Sequence, residues 1–458
     1  MALPARWTNN DLARSLDRRR FLAVSGTFAA ATTLAAAARS ADDATDRALK
    51  VAAIFTEFTY RSHAHVILEN FLEPYLFNGR PTQPGCEIVS FYGDQFPKNE
   101  MGRDVARRYG IPIFPTIAEA LTLGGDKLAV DAVLSIGEHG NYPVNEKGQM
   151  EYPRKRFFDE IVAVFERSGR VVPLFNDKHL SYRWDWAKEM VDTARRLEIP
   201  FMAGSSVPLA ERRPPLELPP RAKVVEAVCV HGGMPESYGF HALEVLLSFV
   251  EFRLGGESGI ASVRYFEGDA LWQAAADGLW SVELAQTALA QELGTGQPPL
   301  RELAERLGAA EQKPAARQPP HGLLIAYRDG LRGFVLGVGS KATRWNFACS
   351  LAGETAPRAT RLYTGPWNNR NLFKALAHAI QTHFRQRRAP YPVERTLLVT
   401  GALDALMDSR QQGGMPIATP HLEFGYAARD FTALRETGAS WKIITEATPE
   451  PSGIGQGS

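Results

Sequence analysis

Three short polar stretches carry the side chains best suited to chemistry. GEHGNYP (Gly137–Pro143) places a carboxylate and an imidazole side by side at Glu138 and His139. NDKHL (Asn176–Leu180) sets Asp177, Lys178 and His179 in succession after the apolar run RVVPLF. ESYGFHALE (Glu236–Glu244) opens a helix-like run with Glu236, Tyr238 and His241. A lysine at the carboxyl end of a strand serves as a proton relay when burial favours its neutral form. A histidine titrates near neutral pH without such help. Each also has an ordinary reading: Lys178 as a solvated loop lysine, His241 as a satisfied helix histidine.

A fourth stretch, VAAIFTEFTYRSHAHVI (Val51–Ile67), passes from an apolar run through a polar turn into a helical pattern. That is the outline of a phosphate-binding unit, in which glycines let backbone N–H groups approach a diphosphate at a helix N-terminus. The turn here has no glycine. Phe55, Phe58 and Tyr60 fill it, Glu57 adds a negative charge, and Arg61 offsets part of that charge. Two like charges about 4 Å apart cost roughly 1–4 kcal/mol at effective dielectrics of 80 to 20.

The elements that must position these residues alternate. Apolar runs at 49–55, 87–92, 131–137, 170–176 and 200–206 read as strands, with helical patterns between them. Single helices between strands imply parallel crossovers. Residues 49–207 therefore read as a Rossmann-like, doubly wound domain. After the proline-rich ERRPPLELPP (Glu211–Pro220) the texture changes. Residues 221–430 read as an α+β domain with a mostly antiparallel open sheet, a hairpin turning at Asp329-Gly330 and a helical insertion at about 270–310. Residues 446–458 read as a disordered tail.

The remaining features bound the class. At 458 residues the chain holds two domains, and 45% hydrophobic with 22% charged residues is ordinary globular composition. Lys plus Arg (52) balances Asp plus Glu (51), so nucleic acid is not expected as a partner. Residues 1–41 contain DRRRFLAVSGTFAAATTLAAAARSADD, the order of a twin-arginine export signal with cleavage near Ser40. That predicts passage through the twin-arginine machinery to the periplasm or beyond. No later run is long and apolar enough for a membrane span. Cys86, Cys229 and Cys349 have no metal-like spacing; they read as buried thiols, with one bridge open as an alternative.

Several phrases, in order, resemble the Gfo/Idh/MocA oxidoreductases. DAVLSIGEHGNYP is similar to that family's DAVxIATPxxxH segment, and LFNDKHLSYRWDWAKEMVDTARRLEIPFMAGSS to its EKPLALTxxEAxELVxxAxxxGVxLMVGY. GFHALEVLLSFVE resembles its DxGxHxxDxxxxL helix, and TLLVTGALDALMDSR its closing helix. The resemblance spans about 49–415. It implies a nicotinamide cofactor, NAD or NADP, and hydride transfer to or from a hydroxyl or carbonyl of a sugar or polyol. It puts Thr56, Glu57, Ser62, His63, Asp94, Gly137, Glu138 and Lys178 at the cofactor. Lys178, His241 and Glu236 become the catalytic candidates, with Glu236 standing in because Ser237 occupies the usual aspartate position. His139, His179 and Tyr238 become substrate candidates, and Glu244 falls on a later family acid. Apart from the resemblance, an open second sheet is a surface that a partner subunit commonly covers, which leaves a homo-oligomer through it open.

Two other functions stay open. The glycine-free turn favours a repurposed carbohydrate-binding protein that no longer takes the nucleotide. The convergence of Glu138, His139, Asp177, His179, Glu236 and His241 suggests a metal-assisted enzyme acting on sugars. Their spacing matches no standard ligand pattern, so no metal residues are assigned.

Overall fold

The computed structural model describes residues 47–309, 318–339 and 342–455. The export signal lies outside the described residues, as does most of the linker near 310–317. Leu49–Ser458 forms one compact unit.

The first sheet has five strands. These are β1 (Leu49–Phe55), β4 (Cys86–Gly93), β5 (Ala132–Ile136), β6 (Leu174–Asp177) and β7 (Phe201–Gly204), in the order β4-β1-β5-β6-β7. Every pairing is parallel. A short hairpin, β2 (Tyr75–Phe77) with β3 (Arg80–Thr82), stands apart. The strands are buried on both faces, which is why they read as continuous apolar runs rather than alternating ones. Along β1, Val51, Ala53 and Phe55 enter one core and Ala52 and Ile54 the other.

Helices cover both faces: α1 (His63–Leu72), α2 (Gly102–Tyr109), α3 (Ile117–Thr122), α4 (Arg154–Ser168) and α5 (Trp184–Arg196). Helix α1 stops at Leu72, because Pro74 cannot continue it. Gly110 closes α2 in the left-handed conformation, as its position suggests.

The second sheet has eight strands. Glu211–Arg213 is β8, Val224–His231 β9, Ile260–Glu267 β10 and His321–Tyr327 β11. Arg332–Gly337 is β12, Trp345–Leu351 β13, Arg358–Tyr363 β14 and Ile417–Ala418 β15. The order is β15-β10-β11-β12-β9-β13-β14-β8, with only β12 and β9 parallel. Thus the proline-rich arm begins as an edge strand, Arg213 pairing with Arg361. One face is covered by α6 (Ser237–Val250). The other is covered by the insertion, which forms α7 (Asp269–Ala276), α8 (Val282–Leu293) and α9 (Leu300–Ala309).

Two long helices, α10 (Asn369–Gln386) and α11 (Val393–Gln411), tie the two sheets together. Arg395 of α11 is fully buried and reaches Glu244 and Glu251, both also fully buried, at 3.1 Å each. Beside it, Thr396 donates to the carbonyl of Ala203 and to Glu244. Helix α6 is thereby fixed against the end of β7, and Glu244 is committed to this structural network.

The three cysteines are buried and unbridged. The tail does not follow its sequence reading through the described part. Glu450 pairs with Arg61 and Arg370, Thr448 accepts from the Trp367 indole, and Ile454 is buried. Scattered small and polar residues hid these few anchoring contacts. Among the described residues, no helix is long and apolar enough to cross a membrane.

Candidate functional site

At the carboxyl edge of β5 and β6 lies a cavity of about 310 Å³. Lys178, His241, Glu138, His139, His63 and Tyr238, all expected from the sequence, line it together. They come from the ends of two parallel strands and from the starts of α1 and α6, the place where open parallel sheets bind ligands.

Glu138 is the electrostatic centre. Its Oε1 lies 2.9 Å from the Lys178 ammonium, and its Oε2 pairs with the Arg154 guanidinium. Burial alone would push its carboxyl up; Lys178 and Arg154 outweigh that and hold it well below the usual carboxylate range. Lys178 also donates to the Ser237 carbonyl at 3.2 Å. Its backbone has φ +64°, and that of His139 φ +72°. Non-glycine residues rarely adopt this conformation, and such strain gathers at functional sites.

Three imidazoles face the cavity. His63 Nδ1 is 2.6 Å from Asp177 Oδ2. His241 Nδ1 is 2.6 Å from the Ser205 hydroxyl, and burial with the charge of Lys178 pushes its pKa well below the ordinary value. His139 accepts from the His63 backbone N–H at 3.4 Å, and burial with its neighbour His63 takes its pKa down to about 4. Tyr238 stacks on Trp345, centroids 5.6 Å apart, and forms an aromatic wall.

Behind the cavity runs a second charged layer. The Arg154 guanidinium reaches the His179 ring at 3.2 Å, and His179 Nε2 lies 3.0 Å from Glu236 Oε1. His179 and Glu236, expected at the substrate and in catalysis, are paired with each other and are not among the residues lining the cavity. Arg154 was missed altogether. The signal that could have found it is Gly137: a Cβ there would stand 2.6 Å from Arg154 Cγ, so only glycine admits the buried arginine. Asp177, read as a possible ligand, is the partner of His63. Among the described residues, no three His, Cys, Asp or Glu side chains are grouped to hold a metal ion.

The remaining cofactor candidates lie around the turn after β1, and their contacts test whether a dinucleotide fits. Phe58 is buried, edge-to-face with Phe55 and Phe91. Thr56 bridges β1 to β5 at the point where strand order reverses: its N–H donates to Ile136 and its hydroxyl to the Glu138 carbonyl at 2.7 Å. Ser62 caps α1 by accepting from His65 N–H, while the His63 N–H goes to His139. Arg61 is taken by Glu450 and by Asn369 at 3.1 Å. Glu57 accepts from Thr59 and does not join the cavity lining.

Asp94, expected at a ribose, has both oxygens engaged by Tyr92, Arg156 and Tyr142. Burial opposes its charge, but hydrogen bonds from Tyr142, Arg156 and Tyr92 keep its pKa below the ordinary value. Gln95 and Asn141 exchange two further bonds across the same opening. The N–H groups of Thr56 and His63, and the cation and the acid that a dinucleotide uses in the usual pose, are engaged within the chain. The residues present do not fit that cofactor there.

No family model matches this chain, and no curated protein matches it. Among solved structures it is similar to GenD2 from gentamicin A biosynthesis, crystallised in complex with NAD. The identity is 13% and the TM-score 0.52, over 82% of this chain and 97% of that one. It is also similar to an oxidoreductase from Agrobacterium radiobacter in complex with NAD+, L-tartaric acid and magnesium. There the identity is 13% and the TM-score 0.50, over 81% and 98% of the two chains. At such identity the likeness establishes the fold. The chain shares the fold of these two proteins, with a five-stranded parallel sheet and a larger, mostly antiparallel one, as the resemblance of its ordered phrases implied.

Proposed function

We propose that this protein binds a carbohydrate or polyol in the cavity and does so without the dinucleotide that its fold carries elsewhere. The observation that supports this reading is the contrast at one sheet edge: after β1 the Thr56 hydroxyl, Asp94 and Arg61 are engaged by the chain's own groups, while the adjoining polar residues line a cavity of about 310 Å³. About 310 Å³ is at the small end for ligand sites. Lys178, Glu138 and three imidazoles offer donors and acceptors for hydroxyl groups, and the Tyr238–Trp345 wall offers an apolar face for a ring.

The test is thermal stabilisation by a panel of aldoses, ketoses and polyols, with NAD and NADP titrated separately by calorimetry. Stabilisation by at least one sugar with no nucleotide binding at millimolar concentration is expected. Nucleotide binding at micromolar concentration would overturn the reading.

The second reading is a nicotinamide-dependent oxidoreductase on sugars or polyols. It is favoured by Lys178 and His241 facing one cavity, and by the bound NAD of the two fold neighbours. A dinucleotide released from the purified, denatured protein would establish it. Export by the twin-arginine route is part of the proposal and rests on residues 1–41. An exported form whose sequenced N-terminus begins near Ala41 supports it, and retention of Met1 in the exported form rules it out.

A further inference from the structure

His63 differs from the other cavity imidazoles in what holds it. Among the described residues, its Nδ1 meets a buried carboxylate, Asp177 Oδ2, at 2.6 Å, whereas His241 meets a neutral serine and His139 a backbone N–H. A carboxylate on Nδ1 fixes the tautomer and leaves Nε2 as the working nitrogen. It also gives the imidazolium an anionic neighbour once a proton has been taken. Phe373 stands edge-on to the ring, centroids 4.6 Å apart, and limits its rotation. The same cavity presents the Lys178 ammonium, fixed by Glu138 and the Ser237 carbonyl, where negative charge on a ligand oxygen would be met.

We propose that Asp177 and His63 form an acid–base pair that moves a proton within a bound hydroxy-carbonyl sugar, interconverting aldose and ketose without a redox cofactor. This rests on the reading of the cavity as a carbohydrate site. His63 Nε2 takes the proton from the carbon beside the carbonyl. The C–H electron pair becomes a C=C bond, and the carbonyl π pair moves onto oxygen. The resulting enediolate oxygen faces Lys178. The His63 imidazolium then returns the proton to one of the two carbons, and the hydroxyl proton passes between the two oxygens. One carbon is oxidised as its neighbour is reduced, so electrons balance within the ligand. Lys178 contributes charge, His63 the proton transfer, and Asp177 the orientation of His63.

The experiment incubates the full chain in D2O with D-fructose, D-glucose, L-sorbose and D-mannose and follows carbon-bound protons by NMR. Calorimetry with the same sugars runs in parallel. Exchange at the carbon beside the carbonyl is expected for a sugar that binds. His63→Gln lowers its rate by about a hundredfold or more while affinity stays within about threefold. Asp177→Asn lowers the rate at unchanged affinity and alters its pH profile. His63→Asn serves if His63→Gln does not fold. Binding with no exchange in the unmodified protein overturns the proposal and leaves the carbohydrate site standing. So does exchange that survives both His63 variants. No binding by any sugar sinks both readings together.

Discussion

The crevice after β1 and the cavity at the ends of β5 and β6 share one edge of one parallel sheet, yet the chain treats them in opposite ways. In the crevice every polar group that faces a neighbour is spent on it: Thr56 on Glu138, Asp94 on Tyr142, Arg61 on Glu450. In the cavity the ionic pairs are set behind or beside the opening, and imidazoles remain turned toward it. The difference shows how a fold can keep its ligand-binding edge while giving up one ligand. Replacing glycines with Phe58 and Glu57 does more than block an approach, because Phe58 becomes part of the core that the turn now depends on.

The largest effect should come from the layer that supports the cavity. Arg154 is fully buried and is the cation between Glu138 and His179. Arg154→Ala strands the Glu138 carboxylate with only Lys178 beside it and leaves a void against Gly137. Breaking a buried pair in this way costs about 5 kcal/mol, at the upper end for such changes. Urea unfolding should register the loss, and sugar binding should fall with it. A loss under about 1 kcal/mol would mean that Arg154 is no more than packing.

On the crevice side the comparable change is Phe58→Ala, which removes a ring from between Phe55 and Phe91. A loss of about 3 kcal/mol is expected from transfer and cavity terms together. The two variants part company in function: Phe58→Ala should leave sugar affinity within about threefold, since Phe58 is not among the cavity's lining residues. If sugar binding falls as far as in Arg154→Ala, the crevice and the cavity are one site and the contrast fails.

How much of this was visible in the sequence follows from what each residue's placement depends on. Lys178 and His139 were legible because each follows an apolar run, and strand ends of a parallel sheet gather at one edge; His241, in the first turn of α6, was singled out through the resemblance of GFHALEVLLSFVE. The five-strand sheet was legible for the same reason, through runs separated by single helical patterns. Arg154 was not. It lies in RKRFFDEIV, where an arginine beside two other basic residues reads as solvent-facing, and its burial depends on the space that Gly137 leaves in another segment. The pairing of Glu236 with His179 was not legible, because the direction of a side chain at a helix start follows from its tertiary neighbours. The seated tail was missed because a few long-range contacts, chiefly Glu450 with Arg61 and Arg370, have no local pattern.

Acid should probe both regions at once. Burial with neighbouring His63 lowers the His139 pKa to about 4 in the folded cavity, and burial lowers that of His65 to about 4 in the helix that follows the turn. Both lie below the unfolded value of about 6.5. Between those limits the unfolded chain binds protons that the fold does not, so stability falls as pH falls. The slope is up to about 1.4 kcal/mol per pH unit for each residue. Glu138 adds a further loss at lower pH. Its folded value is depressed, so its contribution is present above the ordinary carboxylate range and disappears as pH falls through the folded value. Urea midpoints should drop from pH 6.5 to pH 4.5. His139→Asn should flatten part of that slope and leave the His65 part in place; an unchanged slope would mean that His139 is charged in the fold.

The smallest effect tests what closes the crevice. Glu450 accepts from the Tyr60 hydroxyl at 3.2 Å and from the buried Arg370 at 3.0 Å, besides its pair with Arg61, and Glu450, Tyr60 and Arg61 are themselves partly exposed. Pairs of that kind contribute about 0.2–1 kcal/mol. Glu450→Gln should therefore shift the melting temperature only slightly while speeding proteolysis of the residues after Ile444. Its value lies in the nucleotide titration. Thr56, Phe58, Ser62 and Asp94 keep their partners in this variant, so NAD should still not bind. If the variant takes up NAD at micromolar concentration, the tail is the closure and the turn beneath it is still a nucleotide site. The contrast between the two regions would then be one of occupancy, with the same edge able to hold a dinucleotide once an acidic side chain is moved aside.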